Sequence, residues 1–199
     1  MDPFAVIAEF YRPGSRLHAL VRAHGEAVAE KALRAADSVA PLRPDRTFVF
    51  EAAVVHDIGI FLTDAPSIGC FGVHPYVAHG VLGRGLLDEI GFSRHGLVCE
   101  RHVGVGITVQ DIRRQGLPLP ERDMRPRSLE ETIVSYADKF FSKNRDASKE
   151  RTPNQVVAML DRYGADKVAR FRRWMELFED GSRRLQMNPY RRDRTSVGG

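Results

Sequence analysis

The stretch AAVVHDIGIF, residues 52–61, sets His56 and Asp57 side by side within an otherwise apolar run. An ionised carboxylate in such a run is costly to bury unless a cation or several donors face it. Two further polar residues intrude on apolar faces. His24 falls on the stripe formed by Leu17, Leu20, Val21, Val28, Ala32 and Ala35, and Asp138 lies between Val134 and Phe141 at helical spacing. A lone histidine on such a stripe is most simply a satisfied core residue. A buried aspartate has no comparable default, because its charge needs a partner. A cation at the convergence of His24, His56, Asp57 and Asp138 accounts for all of these intrusions together. Imidazole nitrogens with carboxylate oxygens suit Mn, Fe, Co, Ni or Zn, with Mg a less natural fit.

The segments that must position these residues carry a helical pattern nearly throughout. Ser15 caps a helix through RLHALVRAHGEAVAEKALRAADSVA, which ends at APLRPDRT because Pro41 and Pro44 cannot continue it. FVFEAAVVHDIGIF is rich in β-branched residues, yet its length and lack of alternation predict a buried helix with Gly59 near its C-terminal end. HPYVAHGVLGRGLLDEIG reads as a helix with Pro75 in its first turn, and SRHGLVCERH as another capped by Ser93. Residues 103–127 form a long connection containing one short helix at TVQDIRRQG. The spacing from Ser128 to Glu131 is that of a capping box and opens a helix through TIVSYADKFFSK. Pro153 starts a last long helix, bent at Gly164. The expectation is one all-α domain over residues 1–199, with a core at about 15–145 and a C-terminal helix and basic tail at 153–199, built as a bundle of about six to eight helices.

Composition narrows the class. A chain of 199 residues with 43% hydrophobic and 28% charged residues can bury a core without disulfides, and Cys70 and Cys99 are too few for a disulfide framework, so a reducing cytoplasm is expected. No apolar run approaches the roughly 20 residues of a membrane span, and the start MDPFAVIAEFYRPGS has no signal-peptide pattern. The net charge of +4 is concentrated from Arg170 onward, where arginines outnumber acidic residues. Without an aromatic-interleaved basic groove, a solvated helix face and a frayed end explain it better than nucleic-acid binding.

The order His24, His56-Asp57 and Asp138 on successive helices resembles the HD-domain metal-dependent phosphohydrolase superfamily. HDIG is a common variant of its motif, and RAHGEAVAEKA resembles the helix that supplies its first ligand. ERHVGVGIT followed by SLEETIVSYADKF resembles a small HDIG subgroup, and the likeness runs over roughly residues 15–145. The resemblance implies a helical bundle of the HD type with one or two divalent transition-metal ions. His79, opening HGVLGRGLL, and His102, in CERHVGVG, fall where binuclear members place further histidines. Asp57 would then bridge an ion on His24, His56 and Asp138 and a second on His79 and His102. His74 competes with His79 for that role; His18 and His95 match no family position.

A metal-bound water is far more acidic than bulk water, so hydrolysis of a phosphomonoester or phosphoanhydride is the natural reaction. Asp57 at the metals and the cations Arg101, Lys139 and Lys143 are the candidates for holding substrate and promoting the chemistry. The glycines of VGVG can let backbone approach a ligand, and LPLPERDMRPR is a candidate rim. Where many HDIG proteins continue with lysine this chain has Ile60, and GVGIT stands where cyclic-dinucleotide phosphodiesterases carry GYP. The expected partner is therefore a small phosphorylated metabolite or a nucleotide. A non-catalytic nucleotide-binding sensor and a di-iron oxygenase are the alternatives. The end of the tail, TSVGG, has no core-forming pattern. Removing residues 188–199 is expected to leave turnover of a small phosphoester within a few-fold of the full chain; a collapse of turnover with the fold intact would make the tail part of the substrate site or of an active oligomer.

Overall fold

The computed structural model describes residues 1–143 and 149–179. Among them are nine α-helices: α1 (Pro3–Phe10), α2 (Arg16–Ser38), α3 (Arg46–Val55), α4 (His79–Glu89), α5 (Ser93–Arg101), α6 (Val109–Gln115), α7 (Leu129–Asp138), α8 (Pro153–Asp161) and α9 (Ala165–Glu179). The excess over the expected number has two sources. α1 was not read from the sequence, although Asp2 caps it by accepting from the Phe4 and Ala5 amides. The last helix is two helices, because Gly164 takes φ +121 and breaks the chain between them. The basic tail, residues 180–199, lies outside the described residues.

The core is a packing of α2 against α3 and α7, with α9 closing one side. α2 turns Val28, Ala29, Ala32 and Ala36 inward, meeting Val49, Ala52 and Ala53 of α3 and Ile133, Val134 and Ala137 of α7, all essentially buried. Small residues permit close helix approach, and Gly25 permits the closest. A Cβ there would sit 2.6 Å from the Val54 carbonyl oxygen. α9 repeats Val168, Phe171, Trp174 and Phe178 along its inner face; Phe171 stacks on Tyr136 of α7, and Phe178 packs on it at a tilt.

Four boundaries differ from the sequence expectation, three of them at the candidate ligands. α3 stops at Val55, so His56 and Asp57 lie in the turn that follows it rather than within it. α7 ends at Asp138, not in the following FFSK. Pro75 belongs to a strand, and α4 begins only at His79. Ser93 is the first residue of α5 rather than its cap. Between α3 and α4 the chain makes a small sheet absent from the sequence reading, with β1 (Thr63–Ala65) antiparallel to β2 (Cys70–Phe71) and parallel to β3 (His74–Pro75). Strands of two or three residues leave too short a pattern for period-two alternation to register.

The connection from α6 to α7 is tied down by charge. Glu100, 2% exposed, pairs with Arg84 of α4 at 2.5 Å and with Arg122 through both Nε and Nη2. Ser128 accepts from the Glu131 amide as expected, but the Glu131 carboxylate reaches the Arg127 amide and Arg101 instead of completing the box. Glu100→Ala is expected to cost about 2 kcal/mol in urea unfolding, less than the roughly 3–5 kcal/mol of a fully buried broken pair, because both arginines keep partial solvation. It should also speed proteolysis within residues 117–127; an unchanged unfolding midpoint would mean the pairs carry no net weight.

Candidate metal centre

Four imidazoles and two carboxylates converge between the ends of α3, α4, α5 and α7 and the middle of α2. His24, His56, Asp57, His79, His102 and Asp138 are all buried. His24 Nε2 lies 3.2 Å from Asp57 Oδ2 and 3.2 Å from Asp138 Oδ1, and His56 Nε2 lies 3.2 and 3.4 Å from the same two oxygens. On the other side of the Asp57 carboxylate, Oδ1 is 3.3 Å from His79 Nε2 and 3.4 Å from His102 Nε2. Asp57 thus turns one oxygen to each of two ligand groups. His79, not the exposed His74, is the histidine that its segment contributes. Glycine again sets the approach: a Cβ on Gly59 would be 2.4 Å from the His79 carbonyl oxygen and from the Gly83 amide nitrogen.

The backbone orients three of the rings. His56 Nδ1 bonds the Ala53 carbonyl at 2.6 Å, His79 Nδ1 the Tyr76 carbonyl at 2.6 Å, and His102 Nδ1 the Cys99 carbonyl at 2.7 Å. A carbonyl oxygen only accepts, so each Nδ1 carries a proton, and Nε2 is the atom whose lone pair each ring can turn to a cation in the cluster. His79 and His102 then face each other nitrogen to nitrogen at 3.1 Å with no proton between them. His56 Nε2 and both oxygens of Asp57 are buried without a hydrogen-bond partner. Such atoms are expensive unless a cation takes their lone pairs. The spacings agree with that: ligands about 2.1 Å from an ion lie about 3.0 Å apart in an octahedron and about 3.4 Å apart in a tetrahedron. The donor set fits a divalent transition metal.

The electrostatics carry the same demand. Burial alone disfavours a charged His56, but Asp57 and Asp138 outweigh it and lift that ring to about 9, a sign of strongly negative potential at its Nε2. His79, which burial holds near 3, stays neutral and keeps its lone pair. Asp57 and Asp138 both sit well below the carboxylate range; burial opposes this, and the surrounding imidazoles and lysines overcome it. Lys143 Nζ is 2.7 Å from Asp57 Oδ2, in ion-pair contact without hydrogen-bond alignment, and Lys139 Nζ is 2.7 Å from Asp138 Oδ2.

A cavity of about 730 Å³ opens from this cluster. Its polar lining includes His79, His102, Asp138, Lys139, Lys143 and Arg151; its apolar lining includes Ile107, Leu117, Phe141, Met159, Leu160 and Tyr163. Val103 to Gly106, the VGVG segment, line it, whereas of LPLPERDMRPR only Leu117 does. Arg101, expected as a substrate holder, does not line the cavity. Its guanidinium is committed to Glu131 at 2.8 Å, because the turn after α5 that brings His102 inward sends its neighbour toward the head of α7. Arg151, which donates to the Phe141 carbonyl at 2.6 Å, was not singled out in the sequence; no motif surrounds it, and only the return of the chain after residue 148 puts it on the cavity. The Lys167–Asp111 pair in the lining was likewise unread.

Comparison with known proteins places this geometry. The chain is 33% identical over 127 residues to a tRNA (cytidine(56)-2′-O)-methyltransferase of Picrophilus torridus, covering 63% of this chain and 33% of that protein. It is 37% identical over 89 residues to an uncharacterized protein of Methanocaldococcus jannaschii, covering 44% of this chain and 45% of that one. The chain therefore spans less than half the length of these relatives. Among solved structures, the HD domain of the L. monocytogenes phosphodiesterase PgpH superposes with a TM-score of 0.51, covering 90% of this chain and 98% of that one at 15% identity, which bears on the fold alone. The HD domain family model matches residues 21–142, a span that contains all six converging histidines and aspartates. The chain belongs to the HD domain family.

Proposed function

We propose that this protein hydrolyses a phosphoester or phosphoanhydride of a small phosphorylated metabolite, a nucleotide being the class that suits the cavity best. The observation that carries the reading is the Asp57 carboxylate: each of its oxygens faces a separate histidine group, beside a cavity lined by cations. A volume of about 730 Å³ lies within the range of small-molecule sites. His24, His56, Asp57 and Asp138 would hold one divalent ion and Asp57, His79 and His102 a second. When bound, such ions supply Lewis acidity and a nucleophilic water at neutral pH.

The rest of the work falls to the chain. The backbone carbonyls of Ala53, Tyr76 and Cys99 keep the protons of three imidazoles on Nδ1 and so keep Nε2 available. Lys139 and Lys143 stand where the cluster meets the cavity, placed to take the non-bridging oxygens of a phosphoryl group. Arg151 adds a third cation beside them. The apolar lining would exclude water from the body of the substrate, with Tyr163 as a stacking surface.

The relatives named as tRNA methyltransferases favour a second reading, in which the phosphate belongs to a tRNA or its precursor. Methyl transfer itself is not carried over, since this chain covers only about a third of those proteins. Phosphate release from nucleoside monophosphates against release from end-phosphorylated RNA separates the two. A di-iron oxygenase would instead show two irons per chain and consume oxygen, and a pure sensor would bind a nucleotide without turnover.

Metal analysis tests the centre directly. Wild-type protein is expected to hold two ions, Asp57→Ala to lose both, and His79→Ala or His102→Ala to lose about one. Turnover in the two histidine variants should fall by a factor of about 100 or more, about 3 kcal/mol of transition-state stabilisation. His74→Ala should change neither quantity. One ion in the wild type, with the His79 and His102 variants altering only KM, would make the site mononuclear.

Lys143→Met removes an ammonium that competes with metal for Asp57. It should bind metal at least as tightly as the wild type while losing about tenfold or more in turnover. Weaker metal binding in that variant would mean that Lys143 supports the centre rather than the substrate.

A further inference from the structure

Outside the cavity, three arginines crowd a second hollow. A pocket of about 210 Å³ is lined by Asp123, Arg125, Arg127, Thr132, Arg170 and Trp174, together with Pro126. That is below the size of a typical small-molecule site and suits a single charged group with a short attachment. Three guanidiniums face one carboxylate, and Asp123 is already engaged by Arg125 through Nε at 2.9 Å and through Nη2. Arg127 forms no side-chain ion pair among the described residues. Arg170 is half-buried and gives its Nη1 protons to the Val105 and Gly106 carbonyls at 2.8 and 3.1 Å. Its ionisation is pulled below the ordinary arginine value, first by burial and then by repulsion from Arg125. The pocket lining thus carries three arginines against one carboxylate.

The location is built, not incidental. Gly106 packs so closely on the pocket wall that a Cβ there would lie 2.7 Å from Arg125 Cα and 2.9 Å from Pro126 Cδ. The Met124 amide donates to the Ile107 carbonyl at 2.9 Å, joining the two segments. Val105, Gly106 and Ile107 also line the main cavity, so this loop is a wall shared by two separate hollows.

We propose that the pocket between Arg125, Arg127 and Arg170 binds a phosphoryl anion at a site distinct from the metal cluster. Guanidinium forks match phosphate oxygens with paired donors. A free phosphate and a backbone phosphate of RNA present the same chemistry, and the experiment separates them. The site is independent of the hydrolase reading, because none of its residues touches the metal cluster.

Trp174 is the chain's single tryptophan and lines this pocket, so its fluorescence reports on the site selectively. The full chain is titrated at constant ionic strength with inorganic phosphate, and separately with a short single-stranded RNA lacking terminal phosphates. A saturable change in emission is expected with at least one of them. Arg127→Ala should move the midpoint by about tenfold or more, and Arg127→Lys should recover only part of that shift, because it restores the charge without the paired donors. Folding of both variants is checked by circular dichroism. A response to phosphate assigns a free anion, and a response to RNA alone assigns backbone phosphate. No response to either probe, an identical change with added chloride, or a wild-type midpoint in Arg127→Ala would overturn the site.

Discussion

The structure turns on one buried carboxylate. Asp57 is 2% exposed, stays ionised against the cost of burial, and finds no aligned hydrogen-bond donor for either oxygen. A carboxylate in that condition must be compensated by charge or it would protonate. Its surroundings are arranged accordingly. Two histidine groups flank it, a second aspartate joins one of them, and two lysines reach the carboxylates from the cavity side. The close contacts that bring these groups together depend on Gly25 and Gly59, where any side chain would strike backbone.

Helix ends supply the rest of the field. His56 follows the last residue of α3, His102 follows the last residue of α5, and Asp138 is the last residue of α7. Three helix C-termini therefore meet at the cluster, each carrying partial negative charge that favours a cation by roughly 0.3–1 kcal/mol. The same geometry disposes of carbonyls that a helix leaves unpaired at its end: Ala53 and Cys99 give theirs to His56 and His102. Ending the helices at this point satisfies the backbone, fixes the imidazole tautomers and deepens the negative potential together.

The site has two parts with different origins along the chain. Every converging histidine and aspartate falls within residues 21–142, the span matched by the family model. Part of the cavity lining does not: Met159, Leu160 and Tyr163 come from α8 and the turn after it, Lys167 comes from α9, and Arg151 precedes both. The residues that could hold metal are thus confined to the family's shared segment. The residues that follow add part of the cavity lining that a substrate's body would touch.

The sequence by itself was enough for the helical class and for the residues of the cluster. Apolar periodicity placed His24 and Asp138 on inward faces, and a charged residue inward is informative because it is costly. His79 and His102 carried no such signal of their own and were legible through resemblance to a family. Helix ends were read least well. α3 and α7 stop at their ligands because side chains there take backbone carbonyls or face a common point, and neither cause is visible in local propensity. The split at Gly164 and the three short strands left patterns too brief to register. Only the tertiary structure could decide which cations serve the cavity. Arg101 and Lys139 each neighbour a cluster residue in sequence, yet one turns away to Glu131 and the other lines the cavity. Adjacency along a helix end fixes distance but not direction, and direction is set by what the rest of the fold packs around it.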